Sequence, residues 1–73
     1  MERSALAASL AEAVVDLELA ERELAQQRVR IADLQKAGHS IVHAHRVLLV
    51  LEKTRDLHAE RCHWLRGQLA AVE

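Results

Sequence analysis

The chain has 73 residues, enough for one small domain, and chains this short usually need disulfides, a metal or a second copy of themselves. Its single cysteine, Cys62, excludes an internal disulfide and fits a reducing compartment. Ten Lys and Arg against eleven Asp and Glu give a formal net charge of −1, so no overall field draws it to nucleic acid or an acidic membrane.

Apolar residues make up 51% of the chain, with Trp64 the single aromatic and no Phe, Tyr or Pro. That is the composition of a helical bundle or coiled coil. Much of the apolar content is alanine, so the core is thin. Glu12, Asp16 and Glu18 interrupt the alanine-rich start before it takes signal-peptide form. No uncharged apolar stretch approaches the roughly 20 residues that span a bilayer. A cytoplasmic protein with no membrane association is the expectation.

The first predicted helix covers about residues 3–37. Leu10, Leu17, Leu24 and Ile31 recur every seven residues, and Leu6, Ala13, Ala20, Gln27 and Leu34 supply the second register. This 3-4 alternation is the strip a left-handed coiled-coil seam requires. Gln27 is its one polar member. Such a residue either fixes register or reaches solvent at the seam edge.

Lys36-Ala37-Gly38-His39-Ser40 is where the chain is told to stop being a helix. Gly38 reaches the left-handed conformation without steric penalty, which suits the position just past a helix end. Lys36 places a positive charge at the carboxyl end of the helix dipole. Ser40 can accept a hydrogen bond from the first free amides of a second helix. The turn is assigned to residues 38–40.

The second predicted helix covers about residues 41–71, with a seam through Ile41, Ala44, Leu48, Leu51, Arg55, His58, Cys62, Leu65, Leu69 and Val72. Folding at Gly38 sets the acid-rich start of the chain (Glu2, Glu12, Asp16, Glu18, Glu21, Glu23) beside Arg55, Arg61 and Arg66. Exposed pairs of this kind contribute about 0–1 kcal/mol each. The sequence therefore reads as all-α, an antiparallel helical hairpin forming a single domain over residues 1–73.

Val47-Leu48-Leu49-Val50-Leu51 sweeps more than one helical turn, so these five aliphatic residues cannot all face the first helix. Val47, Val50, Thr54, Leu57 and Trp64 continue as a second stripe beside the seam. In a monomer that stripe would stand in water, which small proteins rarely tolerate. A second hairpin packed against it gives a homodimeric four-helix bundle. The expected interface is Val47, Leu48, Val50, Leu51, Thr54, Leu57 and Trp64, with an unidentified partner protein as the alternative occupant. Trp64 reads as covering the open end of the bundle between subunits. A tryptophan close to Arg61 and Arg66 also suits a partner-binding hot spot.

Five histidines raise the question of a metal. His39 and His43 share a helical face, as do His58 and Cys62. A structural zinc takes four ligands and a catalytic one three, and no single face offers three at suitable spacing. No metal or cofactor is assigned. A metal-responsive dimer, in which symmetry doubles the His58 and Cys62 pair, is an alternative. The chain has no phosphate-binding glycine loop, no HExxH pair and no Ser-His-Asp set, so it does not read as an enzyme. A further alternative is an RNA- or DNA-binding hairpin dimer using Arg46, Lys53, Arg55 and Arg61. Glu52, Asp56 and Glu60 interleave with those residues, whereas phosphate binding requires clustered positive charge. The function expected is a non-enzymatic interaction, regulatory or structural module acting through self-association.

Residues 23–70 carry a resemblance in Arg28, Ile31, Ala32 and Leu34, the Gly38-His39 turn, Ala44, the Leu48-Leu49 pair, Leu57 and His58. On these residues the chain resembles a group of short uncharacterised coiled-coil proteins of alphaproteobacteria, helical hairpins of no known function. The resemblance implies a bacterial, cytoplasmic protein. It implies no activity, substrate or active-site residue.

Overall fold

A stretch of 34 residues without Gly or Pro, rich in Ala, Leu, Glu and Arg, has no internal reason to leave the helical state. The computed structural model, which describes residues 2–73, shows it as one helix, α1 (Arg3–Lys36). A second helix, α2 (Val42–Ala71), folds back along it. Among the described residues there is no strand. The two helices form an antiparallel pair with Cα extents of 54 × 14 × 12 Å. Its radius of gyration is 16.6 Å, against about 11 Å for a compact domain of this length. The molecule is a rod, and nearly all of its side chains lie within one layer of the surface.

The rod exists because α1 ends abruptly. The Ala37 amide donates to the Asp33 carbonyl at 3.0 Å, Gly38 to Gln35 at 3.1 Å and His39 to Leu34 at 2.9 Å. These bonds satisfy the carbonyls that a helix end would otherwise orphan. They require a left-handed residue at Gly38, whose φ of 75° is the only positive value among the described residues. A Cβ at Gly38 would meet nothing within 4 Å. The requirement is therefore conformational, not one of space. Ser40 sits one residue further from α2 than a capping residue does. Ile41 immediately precedes the helix, and its carbonyl accepts from the His45 amide at 2.7 Å. The Ser40 hydroxyl still accepts from the Val42 amide, over a long 3.4 Å.

Along α1 every seam position from Leu6 to Leu34 is buried or half-buried. Leu6, Ala13, Ala20, Leu24 and Gln27 are buried, and Leu10, Leu17, Ile31 and Leu34 are half-buried. On α2 the buried residues are Ala44, Cys62 and Leu65. Leu6, Ala13, Cys62 and Leu65 form one cluster, flanked by Leu10, Val14, Leu17 and Leu69. Alanine at facing positions lets the backbones approach and limits what can be buried there. Leu6, Leu24 and Cys62 are the largest fully buried side chains.

Nearer the turn the seam carries Gln27, which is only 8% exposed. It does not reach out to solvent. Its Nε2 donates to the Ala44 carbonyl at 2.8 Å, and among the described residues no buried side-chain polar atom lacks a partner. Among the described residues two ion pairs cross between the helices, Arg28–Glu52 and Asp16–Arg61, both at 3.8 Å. A third joins Arg3 to Glu73, just past the end of α2, at 3.6 Å. Only Asp16–Arg61 joins an acid of α1 to a base of α2 near its carboxyl end. Arg55 turns instead to Asp56, its neighbour on the same helix, at 2.6 Å.

Two substitutions test this description. Gly38→Ala should lower stability by about 1–2 kcal/mol in urea melts, the cost of an L side chain in the left-handed region. An unchanged melt would show that the turn does not need that conformation. Gln27→Ala should cost about 1–2 kcal/mol through a lost hydrogen bond and a small void. Gln27→Leu should cost less than about 1 kcal/mol, because the Ala44 carbonyl keeps its helical partner. Equal losses in both variants would show that the Gln27 amide carries more than packing.

Candidate functional site

One long face of this rod, built mainly from α2, carries a line of exposed apolar side chains. Val47, Val50, Thr54, Leu57, Arg61 and Trp64 follow 3-4-3-4-3 spacing, a second seam beside the one that holds α1. Val50 is 65% exposed, Leu57 58% and Trp64 55%, while Val47 and Thr54 are half-buried. The Thr54 hydroxyl donates to the Val50 carbonyl at 3.0 Å, so it makes no polar demand on a neighbour. Leu48 and Leu51 are also half-buried but occupy the inner seam, against α1. The two leucines thus border the stripe without forming its outer surface.

Asp16 on α1 reaches Arg61, and a shallow groove of about 190 Å³ is lined by Asp16, Leu19, Ala20, Glu23, Thr54 and His58. These contacts place α1 residues Asp16, Leu19 and Glu23 on the same side of the rod as the stripe. Apart from Arg61 the stripe is uncharged on α2, and on α1 it is bordered by Asp16, Leu19 and Glu23, with Arg30 nearer the turn. Toward the turn the same side opens into a larger groove of about 460 Å³, lined by Gln27, Arg30, Leu34, Ser40, His43 and Val47 around Ala44. Periodicity finds the stripe. It does not find the groove, which forms where the small Ala44 side chain faces Leu34 and Gln27.

The opposite flank of α2 differs. Val42 and Leu49 are 58% and 53% exposed, but the next residues on that line are Asp56 and His63. Of the five aliphatic residues from Val47 to Leu51, Leu49 and Val50 are exposed, on opposite flanks. Only the flank of Val50 continues as an apolar line.

The residues with chemical potential are spread apart. Cys62 is 1% exposed and packs among Leu6, Ala13 and Leu65. His58 is half-buried, and His39, His43, His45 and His63 are exposed. Among the described residues no three of His, Cys, Asp and Glu come together as a metal-binding group. Of the four basic residues considered for nucleic acid, Arg46 and Lys53 are exposed, Arg55 is held by Asp56 and Arg61 by Asp16. No described helix is long and apolar enough to cross a membrane. No protein-family model, curated protein or solved structure matches the chain.

The burial of Cys62 has a direct readout. Its thiol should react with a disulfide reagent on the order of a hundredfold more slowly in the native protein than in denaturant, limited by helix opening. Equal rates would place the sulfur on the surface and reopen its pairing with His58.

Proposed function

We propose that the chain works without enzymatic chemistry, as a small protein–protein interaction module, regulatory or structural, that self-associates into a homodimeric four-helix bundle. The observation carrying this reading is an imbalance. Among the described residues nine large apolar side chains are at least 47% exposed, whereas the buried large aliphatics are Leu6, Leu24 and Leu65. A two-helix rod cannot correct this by itself, because each helix hides only one strip. Burying a large apolar side chain contributes about 1.5–3 kcal/mol. Covering Val50, Leu57 and Trp64 on two copies is thus comparable to the stability of a small domain. The acids that hold Arg55 and Arg61 work against a nucleic-acid face, which needs uncompensated positive charge. The inward-facing Cys62 works against a metal-responsive site with His58. On the resemblance carried by residues 23–70, we read the protein as bacterial and cytoplasmic.

Light scattering behind size exclusion, over a tenfold concentration range, should give a constant mass near twice the 8.2 kDa chain. Leu57→Asp, on the exposed stripe, should reduce it to the mass of one chain. A wild-type monomer across that range would refute self-association.

A further inference from the structure

Resting on that self-association, we infer that the second copy lies antiparallel to the first, α2 on α2, with the partner's Trp64 seated in the groove beside the turn. Two hairpins that meet through this face can be related by a two-fold axis in one of two ways. An axis along the rod lays α2 of each copy over α1 of the other. The stripe of Val50, Leu57 and Trp64 would then cover Asp16 and Glu23, which line the α1 side of the same face together with Leu19. Burying carboxylates under aliphatic side chains is costly unless they are paired. An axis across the rod lays α2 on α2 and the apolar stripe on itself. Because the stripe belongs to α2 alone, the second arrangement sets it on itself and keeps it off those carboxylates.

The stripe then sets the register. Its centre lies between Thr54 and Leu57, so an antiparallel copy places Thr54 opposite the partner's Leu57, Val50 opposite the partner's Arg61 and Val47 opposite the partner's Trp64. Val47 lines the groove of about 460 Å³. The indole of one copy thus meets a groove of the other that is wide enough to receive a large side chain. Arg30 at the groove wall can lie over the indole face, a cation–π contact.

Charge agrees along the outer edge of the stripe, where Arg46, Lys53, Glu60 and Gly67 recur every seven residues. In an antiparallel pair this edge lies beside its own copy in reverse order. Lys53 meets the partner's Glu60, and Glu60 meets the partner's Lys53. On α1, Arg30 comes level with the partner's Glu12.

A nitroxide label at His39→Cys decides the orientation, since His39 is exposed at the turn and the native thiol of Cys62 is buried. Dipolar spectroscopy should find the two labels about 50 Å apart, at opposite ends of a rod whose long extent is 54 Å. Labels within about 25 Å would place both turns at one end and overturn the antiparallel order while leaving the dimer intact. Absence of any coupling would remove the dimer itself. Glu60→Lys should weaken dimerisation several-fold, two like-charge contacts arising by symmetry. Lys53→Glu added to it should restore the wild-type dissociation constant. Trp64→Ala should weaken the dimer at least tenfold, and an unchanged constant would overturn the placement of the indole in the groove.

Discussion

Two helices can hide only one strip of each other. Everything else about this rod follows from that geometric limit. The strip on α1 runs from Leu6 to Leu34 and carries small residues at Ala13 and Ala20. Close approach of the backbones is gained, and buried volume is given up. With Ala13, Ala20 and Ala44 in the seam, the interior that remains is the line of Leu6, Leu24, Cys62 and Leu65. A thin interior of this kind gains little stability from burial, so apolar side chains outside the seam become the largest unsatisfied quantity in the molecule.

The turn and Gln27 fix how the two strips meet. The amides of Ala37, Gly38 and His39 close α1 within three residues, which leaves almost no slack before α2 begins. The bond from Gln27 to the Ala44 carbonyl then fixes the helices against each other near that turn. A polar group in an apolar seam is tolerable only where its partner stands, so sliding α2 would strand the amide. The ion pairs Asp16–Arg61 and Arg3–Glu73 lie farther along the rod, at 3.8 and 3.6 Å between exposed side chains. They follow a register already set and contribute little to choosing it.

The helices and the seam were legible because they are periodic: a 3-4 alternation can be read from one strand of text without knowing what faces it. The fate of Gln27 was not legible, since burial and exposure differ only in whether a carbonyl stands within reach. That depends on Ala44, seventeen residues away. Arg55 shows the same limit. Opposite charge on the neighbouring helix pointed across the seam, while the ion pair forms with Asp56, next in sequence. The outer stripe showed as a period, but its border of α1 carboxylates arises only when the hairpin closes. The groove at Arg30 and His43 had no sequence signal, since it is a space and not a residue type.

Arg61 is the one charged residue inside the outer stripe, and its position bears on specificity. Left free, a guanidinium between Leu57 and Trp64 would break the apolar line and oppose burial. Asp16 draws it toward α1 at 3.8 Å, so that its aliphatic stem lines the stripe while its charge sits at the α1 border. The pair has a cost when a neighbour covers it, and that cost depends on what the neighbour brings. An aliphatic residue of modest size set against the pair would leave more of it in contact with solvent than a large one. A bulkier or acidic side chain at the same height would crowd the pair or compete for the guanidinium. Arg61 thus weakens the stripe as a general adhesive surface and narrows the set of surfaces that fit it, which is how a polar position within an apolar seam selects among partners.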